Sequence, residues 1–185
     1  MIKFTSDLHF YHSNILKFQP HDRPFVSMEA MNDYIASYWR EEMKPSDELY
    51  VIGDISMGHK TKAIELIKTL PGRIHLIRGN HDHFSKTQEA ALFASVNDYK
   101  VVKYQGHKIV LFHYPIEEWD TCYRGTIHLH GHCHGNLKNI KTNRFDIGWD
   151  VRKRFVSIDE VISWQEDNKD YFVPHHGNTN PRQRE

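Results

Sequence analysis

Cysteine is scarce: Cys122 and Cys133 are the only two in 185 residues, and they form neither a Cys-x-x-Cys pair nor a disulfide framework. That argues against a thiolate zinc module and fits two ordinary thiols in a reducing compartment. Excess charge of one sign is also missing, because 24 Lys and Arg face 24 Asp and Glu. A dedicated duplex-binding module needs a long-range positive field, so no strong nucleic-acid-binding surface is expected, and Arg152-Lys-Arg154 reads as a solvated face. Any anion must be held locally. No apolar run approaches the roughly 20 residues of a membrane span, which excludes a membrane partner of that kind. The opening Met1-Ile-Lys-Phe-Thr-Ser-Asp-Leu-His9 lacks the apolar core of a signal peptide, so a cytoplasmic location is expected.

Against these absences stand 39% hydrophobic and 12% aromatic residues, enough for a sizeable core in a chain of this length. The length suits one domain, expected over 1–173, with a polar, aperiodic tail over 174–185. Histidine is abundant, at 15 residues, and clusters beside Asp, Asn and Gly. Function is to be sought there.

The apolar pattern places those clusters. Ile2 to Thr5 reads as a strand; Ser27 as an N-cap precedes Met28, Met31, Ile35 and Tyr38 at helical spacing. Leu49 to Ile52 is a second strand, Ala63, Ile64, Ile67 and Leu70 mark a helix stopped by Pro71-Gly72, and Ile74 to Ile77 is a third strand. Ser85-Lys-Thr-Gln88 has the form of a capping box. The second half is richer in strands: Val101 to Tyr104 and Ile109 to Phe112 as a hairpin, then Ile127 to Leu129 and Phe145 to Gly148. A second capping box, Ser157-Ile-Asp-Glu160, opens a last helix. An α/β half followed by a β-rich half packs most simply as layered sheets with helices outside.

Each polar cluster then falls at the carboxyl end of a strand, the edge where α/β sheets bind ligands. Asp7, His9, Asp54, Asn80, His113, His132 and His134 are seven candidate ligands collected there. Imidazole, carboxylate and amide oxygen suit Mn, Fe, Zn or Ni. Seven donors are too many for one ion, so two cations sharing a carboxylate is the economical reading. In Gly131-His-Cys-His134 an extended backbone would turn both histidines to one side. Two cations roughly 3.5 to 4 Å apart can ionise a bridging water near neutral pH and neutralise a phosphate group. His81 is the candidate general acid for the leaving oxygen, with Asp82 pairing to it and keeping it protonated.

Asp7-Leu-His9, Gly53-Asp54, Gly79-Asn-His-Asp82, the isolated His113 and Gly131-His-Cys-His134 resemble, in order, the five blocks of the calcineurin-like metallophosphoesterase superfamily. The resemblance implies an α/β protein, a four-layer α/β/β/α sandwich with two mixed sheets and a dinuclear metal site at the carboxyl ends of the strands. It also implies two divalent ions per chain, Mn favoured and Fe, Ni or Zn as alternatives. Asp7, His9, Asp54 and His134 would hold one ion, and Asp54, Asn80, His113 and His132 the other. It gives His81 the same acid role.

The Gly-Asp-x-x-Asp-Arg-Gly block of the protein phosphatase branch is absent, since Gly53-Asp-Ile-Ser-Met-Gly-His59 stands in its place. The chain looks more similar to the small bacterial and phage phosphoesterases, through Ser6-Asp-Leu-His-Phe-Tyr-His12 and Ile77-Arg-Gly-Asn-His-Asp82. A phosphodiesterase is therefore expected, acting on a phosphoester substrate that is a nucleotide or a nucleic-acid end. The alternatives are a phosphomonoesterase or nucleotide hydrolase, and a non-catalytic metal-binding interaction module on the same fold. Candidate substrate contacts are His12, Arg23, Arg78 and Arg124. Oligomeric state has no signal in the sequence.

Overall fold

Residues 1–138 and 143–168 are described by a computed structural model, and the expected tail over 174–185 lies outside them. The first sheet has the order β4-β3-β2-β1-β9. Its strands are β1 (Ile2–Thr5), β2 (Glu48–Ile52), β3 (Arg73–Ile77), β4 (Ser95–Asn97) and β9 (Val156–Ser157). β1 to β4 are parallel and β9 runs antiparallel to β1. The second sheet, order β5-β6-β7-β8, joins β5 (Tyr99–Tyr104), β6 (His107–Phe112), β7 (Ile127–His130) and β8 (Arg144–Asp146). β5 and β6 form the expected antiparallel hairpin, while β7 and β8 add in parallel, so both sheets are mixed.

Alternation along the strands divides the core in two. Phe4, Tyr50, Ile52 and Ile77 face Val102, Ile109, Leu111, Ile127 and Leu129 between the sheets. The opposite face of the first sheet, Leu49, Val51, Ile74 and Leu76, packs under the helices around Met31, Ile35 and Trp39. Those helices are α1 (Ile15–Phe18), α2 (Met28–Glu42), α3 (Lys60–Lys68) and α4 (Lys86–Leu92). Burial of each large apolar side chain there contributes about 1.5 to 3 kcal/mol.

Two N-caps read from the sequence are formed. Ala30 N–H donates to Ser27 Oγ at 3.1 Å, and Ser85 and Gln88 complete a reciprocal capping box. A short helix, α5 (Trp149–Arg152), precedes β9, and α6 (Ile158–Asn168) ends the described chain. At α6 only half of the expected box is seen. Glu160 N–H donates to Ser157 Oγ at 3.2 Å, but the Glu160 carboxylate is taken by the Arg154 guanidinium. α6 sends Ile158 and Val161 into the inter-sheet core and sets Trp164 against Phe145 of β8, with ring centroids 5.0 Å apart, so it closes the side between edge strands β9 and β8. The outer face of the second sheet is covered by segment 114–126, where Trp119 packs on His128 at 5.1 Å. No helix among the described residues is long and apolar enough to cross a membrane.

Candidate metal centre

The strands end and the site begins. Asp7 and His9 follow β1, Asp54 follows β2, Asn80 and His81 follow β3, His113 follows β6, and His132 and His134 follow β7. All seven proposed ligands converge on one edge, and they fall into two groups. Asp7, His9 and His134 offer one donor atom each within 4.8 Å of one another, and so do Asp54, His113 and His132. Asn80 Oδ1 joins the second group, 3.2 Å from His113 Nε2 and 3.0 Å from His132 Nδ1. One oxygen faces both groups: Asp54 Oδ2 lies 3.8 Å from His9 Nε2 and 3.5 Å from His113 Nε2.

The local backbone is strained toward this geometry. Asp7, His9, Asp54, His132 and His134 all have positive φ, between 48° and 68°. Non-glycine residues enter the left-handed region rarely, Asp and His more readily than most, and clusters of them mark functional sites. This overturns the extended reading of Gly131-His-Cys-His134. The segment is a turn, and it sends His134 to the first group and His132 to the second. Close backbone approach completes the cradle. A Cβ on Gly79 would stand 2.2 Å from Asp54 Oδ1, and one on Gly131 would stand 2.2 Å from Asp7 Oδ2.

The donor set fits divalent cations. His9 is 2% exposed, and its Nε2 is buried without a hydrogen-bond partner while pointing at two carboxylates. A buried, unpartnered imidazole nitrogen is costly unless a cation takes its lone pair. Complete burial pushes the Asp7 carboxyl up to about 7, against the opposing pull of His113 and His134. At Asp54 burial acts in the same sense but is outweighed by His113, whose hydrogen bond and charge hold the carboxyl down; His113 is raised in turn, Asp54 overcoming its burial.

Around the ligands stands a support that the sequence did not disclose. His134 Nδ1 bonds Asp150 Oδ2 at 2.5 Å, and Asp150 is gripped by Arg23 through Nε at 2.6 Å and Nη2 at 3.0 Å. Fixing one ring nitrogen by a carboxylate leaves Nε2 for a metal. Arg23, read as a phosphate contact, is therefore reassigned. It is 1% exposed and also donates to the carbonyls of Leu8 and Asp7, so its guanidinium ties the β1 loop to Asp150 and meets no substrate.

The other two arginines are also placed away from the metal groups, Arg78 by its ion pairs and Arg124 by its position. Arg78 is held by both oxygens of Glu89, at 2.8 and 3.0 Å, and by Asp98 at 2.7 Å. Arg124 belongs to the 3-10 turn Cys122–Arg124 before β7, at the opposite end of that strand from the metal groups. His12, in contrast, is at the site: its Nδ1 is 3.3 Å from His9 Nδ1 and its ring 6.2 Å from that of His81. Asp82 does not pair with the His81 ring. Its carboxylate accepts N–H groups from Asp54, Gly79 and Ile55 at 2.8, 2.8 and 3.0 Å, pinning the loop after β2 to the loop after β3. His81 is left with its backbone N–H on Asp54 Oδ1 at 2.9 Å and its Nε2 3.9 Å from Asp54 Oδ2, half-buried at the mouth.

Imidazoles and carboxylates, with no thiolate among them, suit divalent first-row cations, and at the strand ends of an α/β sandwich they form the arrangement of a metal-dependent hydrolase. The chain belongs to the calcineurin-like phosphoesterase family, whose model matches residues 1–185. It is similar over most of its length to an uncharacterized protein of Methanocaldococcus jannaschii, MJ1445, with 36% identity over 177 residues, 91% of this chain and 93% of that one. Gene 66 protein of Mycobacterium phage D29 is 28% identical over 188 residues, covering 85% and 92%. The crystal structure of AQ665 from Aquifex aeolicus matches with a TM-score of 0.72 and 28% identity, covering 88% of this chain and 98% of that one.

Proposed function

We propose that the chain is a dinuclear metal-dependent phosphodiesterase in which His81 is the general acid. The observation that carries this reading is the position of Asp54 Oδ2, 3.8 Å from His9 Nε2 and 3.5 Å from His113 Nε2, where one carboxylate can serve both ligand groups. Asp7, His9, Asp54 and His134 would hold one cation, and Asp54, Asn80, His113 and His132 the other. A pair of divalent cations supplies a water that ionises near neutral pH and positive charge for the phosphate oxygens. The protein's own residues do the rest. Asp150 and Arg23 keep His134 aimed, and Asp82 holds the loops that carry Asp54 and His81 in register. His81 gives its proton to the leaving alcohol as the bond from phosphorus to that oxygen breaks.

A diester is favoured because the Asp-Arg-Gly block is absent, and of the arginines named as substrate contacts Arg23 and Arg78 are engaged elsewhere while Arg124 lies at the far end of β7. Cys122 and Cys133 are free, which fits a cytoplasmic setting. The test loads the protein with Mn(II) and compares turnover of bis-p-nitrophenyl phosphate, p-nitrophenyl phosphate and a phosphopeptide. About two equivalents of Mn(II) should bind, Asp54→Asn should lose at least one, and the diester should be turned over fastest. Single-site binding unaffected by Asp54→Asn, or a preference for the phosphopeptide, would overturn the reading.

A further inference from the structure

Beside the metal groups a cavity of about 180 Å³ opens between the start of α3 and the loop before α4, lined by Met57, Gly58, Lys60, His81, His83 and Phe84. Pockets that enclose a whole drug-sized ligand run to about 300 Å³ and above, so this one is sized for part of a substrate. His81 connects it to the metal groups, its Nε2 lying 3.9 Å from Asp54 Oδ2. If His81 protonates the leaving oxygen, whatever that oxygen carries continues past His81 into this cavity. The cavity is thus on the leaving-group side.

Its lining has two characters. Met57 and Phe84 give apolar surface, with Phe84 braced edge-on by Phe93 at 5.5 Å. Lys60 supplies the charge: its ammonium lies 5.9 Å from the Phe84 ring centroid and donates to the His83 carbonyl, and no carboxylate pairs with it among the described residues. Three donors on an ammonium leave capacity for an anion. Helix stability does not account for Lys60, because it is the first residue of α3, where the macrodipole disfavours a cation.

We propose that this cavity is the leaving-group subsite for a nucleoside monophosphate, its base held inside against Phe84 and Met57 and its phosphate at the mouth on Lys60. The inference rests on the phosphodiesterase reading above. Hydrolysis then joins the water oxygen to phosphorus, breaks the bond to the 3′-oxygen, and passes the His81 proton to that oxygen. Two specificity-determining residues follow, Lys60 for the anion and Phe84 for the ring.

The experiment uses the full chain loaded with Mn(II) and three diesters: bis-p-nitrophenyl phosphate, the dinucleotide ApA, and pApA, whose leaving nucleoside carries a 5′-phosphate. Wild type should favour pApA over ApA by roughly tenfold or more in kcat/KM. Lys60→Ala should abolish that preference through KM on pApA, and Phe84→Leu should lower kcat/KM on both dinucleotides by roughly tenfold, the scale of one base–aromatic stack. Lys62→Ala, exposed on the same helix and outside the cavity, is the control with no change. Equal rates on ApA and pApA in wild type, equal losses on both in Lys60→Ala, or turnover of the nitrophenyl ester alone would overturn the subsite. If no diester is cleaved, the phosphodiesterase reading falls and an AMP titration decides the subsite. Lys60→Ala must then weaken AMP at least fivefold while leaving adenosine unchanged, and an unchanged AMP affinity removes the proposal.

Discussion

His81 and His132 are separated by what their ring nitrogens meet. His132 Nδ1 stands 3.0 Å from Asn80 Oδ1 within the second ligand group, whereas His81 reaches Asp54 only at 3.9 Å and lines the leaving-group cavity. His81→Ala should therefore keep Mn(II) content near wild type and lose roughly 100- to 10,000-fold in turnover of a substrate with an alkoxide leaving group, but far less on a nitrophenyl ester. His132→Ala should lose metal and both activities together. Metal analysis alongside the two rates checks this, and equal losses on both esters with metal intact would remove His81 from the acid role. Asp150 allows a second comparison. Replacing its carboxylate by an amide loosens the His134 ring without touching a ligand atom, so Asp150→Asn should weaken Mn(II) binding about 10- to 100-fold, as support residues do. An unchanged titration would show that His134 is held by packing alone.

At the level of elements, the site is a set of strand ends, and each end needs a backbone that turns sharply within two residues. Gly79 is the position where this can be probed. A Cβ there would meet Asp54 Oδ1 at 2.2 Å and Asp54 N at 2.6 Å, contacts that rigid backbone cannot relieve. Gly79→Ala should therefore displace Asp54, reduce Mn(II) stoichiometry below that of wild type, and leave the far-UV spectrum little changed, because β2 and β3 pair upstream of the clash.

The same elements show what the sequence disclosed. β1, β2, β3 and the β5–β6 hairpin were legible as apolar runs, and Ser27 and Ser85 as caps, because each signal is local. β4 and β9, of three and two residues, carry too short a pattern to read. The seven candidate ligands that gather at this sheet edge were legible from their types and order. Their division into two groups came from the family resemblance and not from the spacing, since alternation assumes an extended chain and the left-handed φ of His132 and His134 breaks it. Asp150 and Arg23 were hidden for another reason: their bond spans 127 positions and follows from packing.

At the scale of the whole molecule, the second sheet carries a buried imidazole, His128, that belongs to neither proposed ligand group. His128 is completely buried under Trp119, with Nδ1 3.3 Å from the Val110 carbonyl, and with Nε2 3.1 Å from the Tyr114 carbonyl and 3.4 Å from the Ile116 N–H. A neutral ring donates to one of these two carbonyls through its single N–H. Burial first, and then neighbouring His130, push the His128 pKa down to about 3. The sign of the consequence follows from linkage. Above the unfolded value of about 6.5 neither state binds this proton; below it the unfolded chain does and the native chain does not, so stability falls as pH drops from about 6.5 toward 3. His128→Gln keeps a donor and an acceptor but cannot titrate. It should lower the urea midpoint at pH 7.5 by the cost of repacking, yet show a smaller further drop between pH 7.5 and 5 than wild type. Metal ligands also titrate in that range, but they do so in both proteins, so the difference between the two slopes isolates His128. Parallel slopes would mean that the acid sensitivity of this fold resides in groups other than His128.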